Sequence, residues 1–151
     1  MLSTSANYTN NQVVTIDALR NPQAGMQIGG NANSNKIYAD RGGNVLWCGE
    51  DTVTDFLFGN TGADIFLVGK NDGNDKVFNA AHNGVINLYD VRLDDISSCN
   101  CDANTKTISL SLNTGNVISV KTNDIFSSPT FQLADGSAYR YNCGSSSWQS
   151  A

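Results

Sequence analysis

The side chains best placed to do chemistry are Asp and Asn residues that recur in step with large apolar residues. In each case an Ile, Leu, Phe or Val follows two positions later, and the pairs begin at Asn35, Asn44, Asp55, Asp64 and Asp75. Successive pairs are offset by 9, 11, 9 and 11 residues. Carboxylate and carbonyl oxygens at this density are typical ligands of a hard divalent cation. The spacing therefore favours a cation as the ligand.

The charge of the surrounding stretch also favours a cation. Between residues 40 and 75 the basic residues are Arg41 and Lys70, whereas the acidic residues are Asp40, Glu50, Asp51, Asp55, Asp64, Asp72 and Asp75. Packed carboxylates repel one another unless something neutralises them. The alternative is a solenoid that needs no metal, in which Asn35 and Asn44 replace Asp because their amide side chains hydrogen-bond the turns themselves. Both interpretations stay open on the sequence.

The apolar members of these pairs predict a stacked β-structure. Extending the register adds Leu19 and Ile28 upstream and Ile86 downstream, so that eight apolar residues share one phase. Glycines lie four to seven positions before most of them, and glycine permits a tight turn between short strands. A nine-residue repeat cannot bury its apolar residue alone, so successive repeats must stack around one interior column. The expected fold class is all-β, a parallel β-roll (β-solenoid) with two repeats per coil and C-terminal antiparallel hairpins.

Two repeats per coil place alternate repeats on the same face of the roll. One face is expected to bury Ile37, Leu57 and Val77, and the other Ile28, Leu46, Phe66 and Ile86. The residues that flank the second set should point outward and are Val45, Trp47, Ile65, Leu67 and Val85. Such a surface is too apolar for open solvent, so the C-terminal strands or a partner are expected to cover it. The functional alternative is an aromatic platform for a ligand.

The spacing resembles the hemolysin-type calcium-binding nonapeptide of the RTX (repeat-in-toxin) family, Gly-Gly-x-Gly-x-Asp-x-U-x with U apolar. The best match is the segment 59–67, in which Gly59, Gly62 and Asp64 occupy the family's positions. The next is the segment 70–78, which ends its turn at Asp75. The resemblance covers about residues 25 to 96. It implies calcium held between turns stacked on the same side, by turn carbonyls and by the Asp carboxylates of successive turns.

By this resemblance, the chain is expected to bind zero to two calcium ions. Asp55 and Asp75 belong to turns on one side and can face one ion together, although the turn before Asp55 lacks the family's glycines. Asp64 lies in the best-formed turn, but its same-side neighbours are the neutral Asn44 and Gly84. The candidate metal-binding residues are therefore Asp55, Asp64, Asp72, Asp75, Gly59 and Gly62.

The remaining sequence predicts terminal elements around the roll. Residues 1–24 are expected to form an N-terminal strand and cap, residues 25–96 the RTX-like roll, and residues 97–151 a C-terminal β-hairpin segment packed on it. Alternating apolar residues and turn residues predict two hairpins in this last segment, 107–112 with 117–121 and 130–133 with 138–141. Such pieces would cap the open ends of the solenoid.

The cysteines and the single histidine do not form a recognisable catalytic set. Four cysteines permit two disulfides. A bridge between Cys99 and Cys101 would strain their short loop, so one of them is expected to pair with Cys48 or Cys143, and a zinc site is less favoured. His82 lies in a polar turn and is expected to be a solvated surface residue. No nucleophile, base and stabiliser converge in the sequence, so it predicts no enzyme.

These observations lead to one expected function and one alternative. The net charge of −5 argues against nucleic acid as a partner, and no apolar run is long enough for a membrane span. We expect a non-catalytic, secreted or cell-surface module of a larger exported protein, an RTX-like roll whose calcium binding aids folding after secretion. The alternative is a metal-independent β-solenoid that serves adhesion or carbohydrate binding, with a glycan or a cell-surface partner.

Overall fold

The structure, a computed structural model, describes residues 2–3, 14–17, 27–39, 43–59, 62–81 and 83–151. In this part of the chain the structure is all-β apart from one 3-10 turn at Leu93–Asp95. The strands are β1 (Leu2–Ser3), β2 (Val14–Asp17), β3 (Gln27–Gly29), β4 (Asn35–Tyr38), β5 (Val45–Trp47), β6 (Phe56–Phe58), β7 (Ile65–Leu67), β8 (Lys76–Ala80), β9 (Val85–Asn87), β10 (Ile96–Asp102), β11 (Thr107–Leu112), β12 (Val117–Thr122), β13 (Thr130–Gln132), β14 (Ala138–Asn142) and β15 (Ser147–Ser150). None of the described residues forms a helix capable of spanning a bilayer.

The strands form two mostly parallel sheets, as the repeat predicts. The first sheet has the order β1-β3-β5-β7-β9-β13-β14-β15, and the second has the order β10-β11-β12-β8-β6-β4-β2. Consecutive strands from β2 to β9 thus alternate between the sheets, so two strands make one coil. Neighbours in register are 20 residues apart, as in Ile37 opposite Leu57 and Leu57 opposite Val77. The predicted fold class is therefore confirmed, with one coil per 9-residue and 11-residue offset.

The interior contains the two predicted apolar columns. In the first sheet Ile28, Leu46, Phe66 and Ile86 lie opposite one another in register, and in the second sheet Ile37, Leu57 and Val77 do the same. All seven are at most 1% exposed. Because side chains alternate along a strand, the residues on either side of each column point outward or lie half-buried. Leu19, the eighth expected member, lies outside the described residues.

The C-terminal strands continue the roll edge to edge. The two predicted hairpins form as β11 with β12 and β13 with β14. One strand of each then adds to a parallel sheet: Val120 of β12 lies opposite Val77, and Phe131 of β13 lies opposite Ile86. The expected cover of the apolar outer face is not what these strands provide, because their pairing places them at the edges of the sheets. That face, which includes Trp47, remains half-buried.

A disulfide joins the two sheets at this end. Cys101 of β10 is bonded to Cys143, which follows β14, with their Cα atoms 5.7 Å apart. The expected pairing of one member of the Cys99-x-Cys101 pair with a distant cysteine is thus found. Cys48 and Cys99 are free thiols, the first buried and the second half-buried.

Candidate metal centre

The turns that lead from the first sheet to the second stack at one end of the flattened coil. This acidic end comprises residues 30–34, 48–54, 68–74 and 88–92. Hydrogen bonds between positions 20 residues apart hold the stack: Ser34 Oγ donates to Thr54 O over 2.6 Å, and the Lys70 N–H donates to Asp90 Oδ1 over 2.8 Å. The turns approach closely, and Gly73 has a φ of +95° with its missing Cβ position 1.9 Å from Val53 O. Glycine is therefore required at position 73.

The aspartate that precedes each strand points inward and binds the coil before it. Asp75 Oδ1 accepts the Asp55 N–H over 2.9 Å, and Asp55 Oδ1 accepts the Asn35 N–H. At the opposite end of the coil Asp64 Oδ1 accepts both the backbone N–H and the side-chain amide of Asn44, over 3.0 and 3.1 Å. One oxygen of each carboxylate is thus committed to the stack, and a cation has to use the other.

The structure separates the predicted site residues into two groups. Asp55, Asp72 and Asp75 lie together at the acidic end. Gly59, Gly62 and Asp64 lie at the opposite end, in the turn from the second sheet to the first, and residues 60 and 61 of that turn lie outside the described residues. The best match to the nonapeptide is therefore also the place where an amide, Asn44, already satisfies the carboxylate. His82 lies outside the described residues.

Cys48 joins the three carboxylates of the acidic end. Its Sγ is 3.1 Å from Asp75 Oδ2 and 3.9 Å from Asp72 Oδ2. One ligand atom from each of Cys48, Asp55 and Asp75 lies within 4.8 Å of the others, and all three residues are 0% exposed. Sequence reasoning missed this cysteine. The available signal was the alternation that makes every second residue after the inward Leu46 point inward as well.

The electrostatics of this cluster are unfavourable for ionised groups. Burial raises the pKa of Asp55 to about 8 and that of Asp75 to about 7, against the opposing effect of the backbone N–H groups that each accepts. Burial also raises the pKa of the Cys48 thiol far above its ordinary value, with a contribution from the charge of Asp75. Within the described ranges, Asp55 Oδ2 and Asp51 Oδ2 are buried and have no hydrogen-bond partner. Protons or a cation must therefore neutralise the cluster.

Outside the cluster, the same turns form an open pocket of about 390 Å³ lined by oxygen ligands. The lining residues are Glu50, Asp51, Thr52, Asn71, Asp72, Tyr89 and Asp90, and this set contains no basic side chain. The Tyr89 hydroxyl donates to Asp72 Oδ2 over 2.5 Å. The nearby Lys70 ammonium instead bonds to Asp95 Oδ2 at 3.4 Å. The pocket thus presents four carboxylates.

The outer face of the second sheet is a ladder of stacked rings. Tyr38 and Phe58 have ring centroids 4.4 Å apart, and Phe58 and Phe78 4.6 Å apart, with interplanar angles of 9° and 11°. Each ring face in the middle of the ladder is covered by its neighbour. A sugar that packs on an aromatic face would have no open face on Phe58, so the ladder contributes to the stability of the sheet.

The chemistry of the acidic end is thus that of a cation site with two zones, a solvent-open pocket of oxygens and a buried cluster that contains sulfur. Comparison with protein-family models, with curated proteins and with solved structures finds no match to this chain.

Proposed function

We propose that the chain is a non-catalytic, calcium-binding β-roll module of a larger secreted or cell-surface protein, and that calcium binding drives its folding outside the cell. The observation that carries the proposal is the pocket of the acidic end, where Glu50, Asp51, Asp72 and Asp90 converge without a basic side chain. The pocket lies between stacked turns of the same end, which is where the resemblance to RTX repeats implies calcium.

The donor set of the pocket fits calcium. Calcium takes six to eight oxygen ligands from carboxylates, carbonyls, amides and water, in flexible geometry. Four carboxylates, the Asn71 amide and the Thr52 hydroxyl supply oxygens of this kind. Asp51 Oδ2 is buried and has no partner among the described residues, so it is available to an ion. We assign one calcium ion to this pocket.

Calcium would act by neutralising turns that otherwise repel one another. Where calcium is scarce, stacking brings carboxylates of neighbouring turns together at an electrostatic cost. An ion that binds only the folded chain stabilises it by about 2.7 kcal/mol at 100 times its dissociation constant. The disulfide between Cys101 and Cys143 supports an oxidising, extracellular setting.

Thermal unfolding of the full chain tests the proposal. After treatment with chelator, millimolar calcium is expected to raise the melting temperature by roughly 5–10 °C. Asp51→Asn and Asp90→Asn should each reduce that rise, whereas Asp124→Asn, which changes an exposed carboxylate of the C-terminal segment, should not. A melting temperature that is the same in chelator and in calcium would contradict the proposal.

One further variant decides which end of the coil binds the ion. Asp64→Asn keeps an acceptor for the Asn44 N–H and removes the charge at the best nonapeptide match. The calcium response should survive this change if the ion lies in the pocket of the acidic end. Loss of the response in Asp64→Asn, with the response retained in Asp51→Asn, would place the ion at the opposite end.

A metal-independent solenoid for adhesion or carbohydrate binding is the second candidate. It is favoured by the Asn44–Asp64 pair, in which an amide already satisfies the carboxylate. Unfolding that is unaffected by calcium, together with binding of the chain to a glycan array, would support it.

A further inference from the structure

We infer that the buried cluster of Cys48, Asp55 and Asp75 is a second metal site, for a divalent ion of the zinc class and separate from the calcium pocket. Its ligand atoms are one sulfur and two carboxylate oxygens, all within 4.8 Å of one another. Calcium takes oxygen ligands, whereas zinc and cobalt accept thiolate and carboxylate together. The inference does not depend on whether the pocket binds calcium.

The first step of the argument is the buried carboxylate of Asp55. Asp55 is 0% exposed, its Oδ1 accepts the Asn35 N–H, and its Oδ2 has no partner among the described residues. A buried polar atom without a partner costs free energy, so such atoms in native proteins usually bind water or an ion. The thiol beside it is only a weak donor. A cation is the partner that satisfies both the unpaired oxygen and the negative charge.

The second step is the spacing of the donors. Zinc binds sulfur at about 2.3 Å and oxygen at about 2.0–2.2 Å, so the donors around a tetrahedral ion lie roughly 3.3–3.7 Å apart. Cys48 Sγ and Asp75 Oδ2 are already 3.1 Å apart. Small rotations of side chains suffice to accommodate an ion between them, and the strand that carries Cys48 need not move.

The third step is access to the site. Asp72 lies in the lining of the pocket, and its Oδ2 is 3.9 Å from Cys48 Sγ. A carboxylate therefore links the open pocket to the interior, and it offers a fourth donor beside the other three. The same ion that reaches Asp72 from solvent can exchange an oxygen ligand for the sulfur.

Cobalt titration tests the site through the thiolate itself. The full chain, with its disulfide intact and stripped by chelator, is titrated with cobalt in millimolar calcium and without thiol reductants. We expect one cobalt per chain, with a near-ultraviolet thiolate-to-cobalt absorption band that zinc abolishes by displacement. Cys48→Ser should lose the band, whereas Cys99→Ser, which changes the other free thiol, should keep it.

Asp55→Asn keeps the test decisive if Cys48→Ser does not fold. Asparagine can still accept the Asn35 N–H but has no charge, so the dissociation constant for cobalt should rise at least tenfold while the band remains. Absence of a band in excess cobalt, or the same affinity in Asp55→Asn, would overturn the inference. A cobalt band without any calcium response would instead contradict the calcium proposal alone.

Discussion

Asp55 and Asp75 each use one carboxylate oxygen to bind the preceding coil and direct the other into the acidic end. The first oxygen accepts a backbone N–H from the residue 20 positions earlier. The second faces Cys48 in the case of Asp75 and has no partner among the described residues in the case of Asp55. This division makes the same residue a structural element of the stack and a ligand for a cation.

The raised pKa values of these two residues predict an unusual pH dependence for the metal-free protein. The pKa is about 8 for Asp55 and about 7 for Asp75 in the folded chain, against 3.8 in the unfolded chain. The folded state therefore binds protons more tightly than the unfolded state, so the stabilisation from these groups is complete below about pH 4 and is lost as the pH rises through 7 to 8. The free energy of unfolding in chelator, measured with urea, should be lower at pH 8 than at pH 5.

The control for this measurement is Asp55→Asn, which removes one titrating group and should flatten the dependence. Hydrogen bonds lower the pKa of the surface residues Asp95, Asp102 and Asp135, so these groups titrate below the chosen window. Stability that increases from pH 5 to pH 8 in chelator would show that the cluster is not buried in the folded protein.

At the scale of the elements, the parallel strands depend on cross-strand side-chain contacts on both faces. Phe58 is the middle ring of the ladder on the second sheet and stacks on Tyr38 and Phe78. Each stacked pair contributes about 0.5–1.5 kcal/mol beyond the area it buries. The ladder therefore stabilises the register of three successive coils.

Phe58→Ala should lower the free energy of unfolding by roughly 2–4 kcal/mol, because both stacked pairs and the buried ring area are lost. Chemical denaturation followed by circular dichroism measures the change. Phe126→Ala is the matched control, since Phe126 is 78% exposed and should contribute little. Equal effects of the two substitutions would mean that the ladder does not contribute to stability.

How far the sequence predicts these elements depends on whether a residue's partners are local or distant. The 9 and 11 spacing predicted strands β4 to β9 and their inward residues, and the turns predicted both C-terminal hairpins. The outer partners of β12 and β13 were not predicted, because a hairpin pattern specifies the strand joined by the turn and not the strand on its other edge. Strand β10 was missed because its residues, Ile96–Asp102, are mostly polar.

The candidate site was predicted only in part, for the same reason. The offset of 20 residues placed Asp55 and Asp75 on one side of the coil, where the structure has them. Cys48 was considered only as a disulfide partner, since attention lay on the close pair Cys99 and Cys101. Its contact with Asp75 links residues 27 positions apart across the coil, and no short-range pattern encodes that contact.

At the scale of the whole molecule, the roll is stabilised at different places by different means. The acidic end contains the cation sites, whereas the C-terminal end contains the disulfide that joins a strand of the second sheet to a turn of the first. Since Cys101 and Cys143 are 42 residues apart, the crosslink restricts a long loop of the unfolded chain. A loop of this length corresponds to about 4 kcal/mol of stabilisation in the chain-entropy account.

The double variant Cys101→Ser with Cys143→Ser should therefore lower the free energy of unfolding by about 2–4 kcal/mol, whereas Cys99→Ser should change it by less than about 1 kcal/mol. Urea denaturation in calcium measures both. Because the disulfide and the acidic end share no residues, their contributions should add, and calcium should stabilise the double variant by the same amount as the parent chain. A calcium response that disappears with the disulfide would show that the two ends of the roll fold as one cooperative unit in which the crosslink is required before the acidic turns can stack.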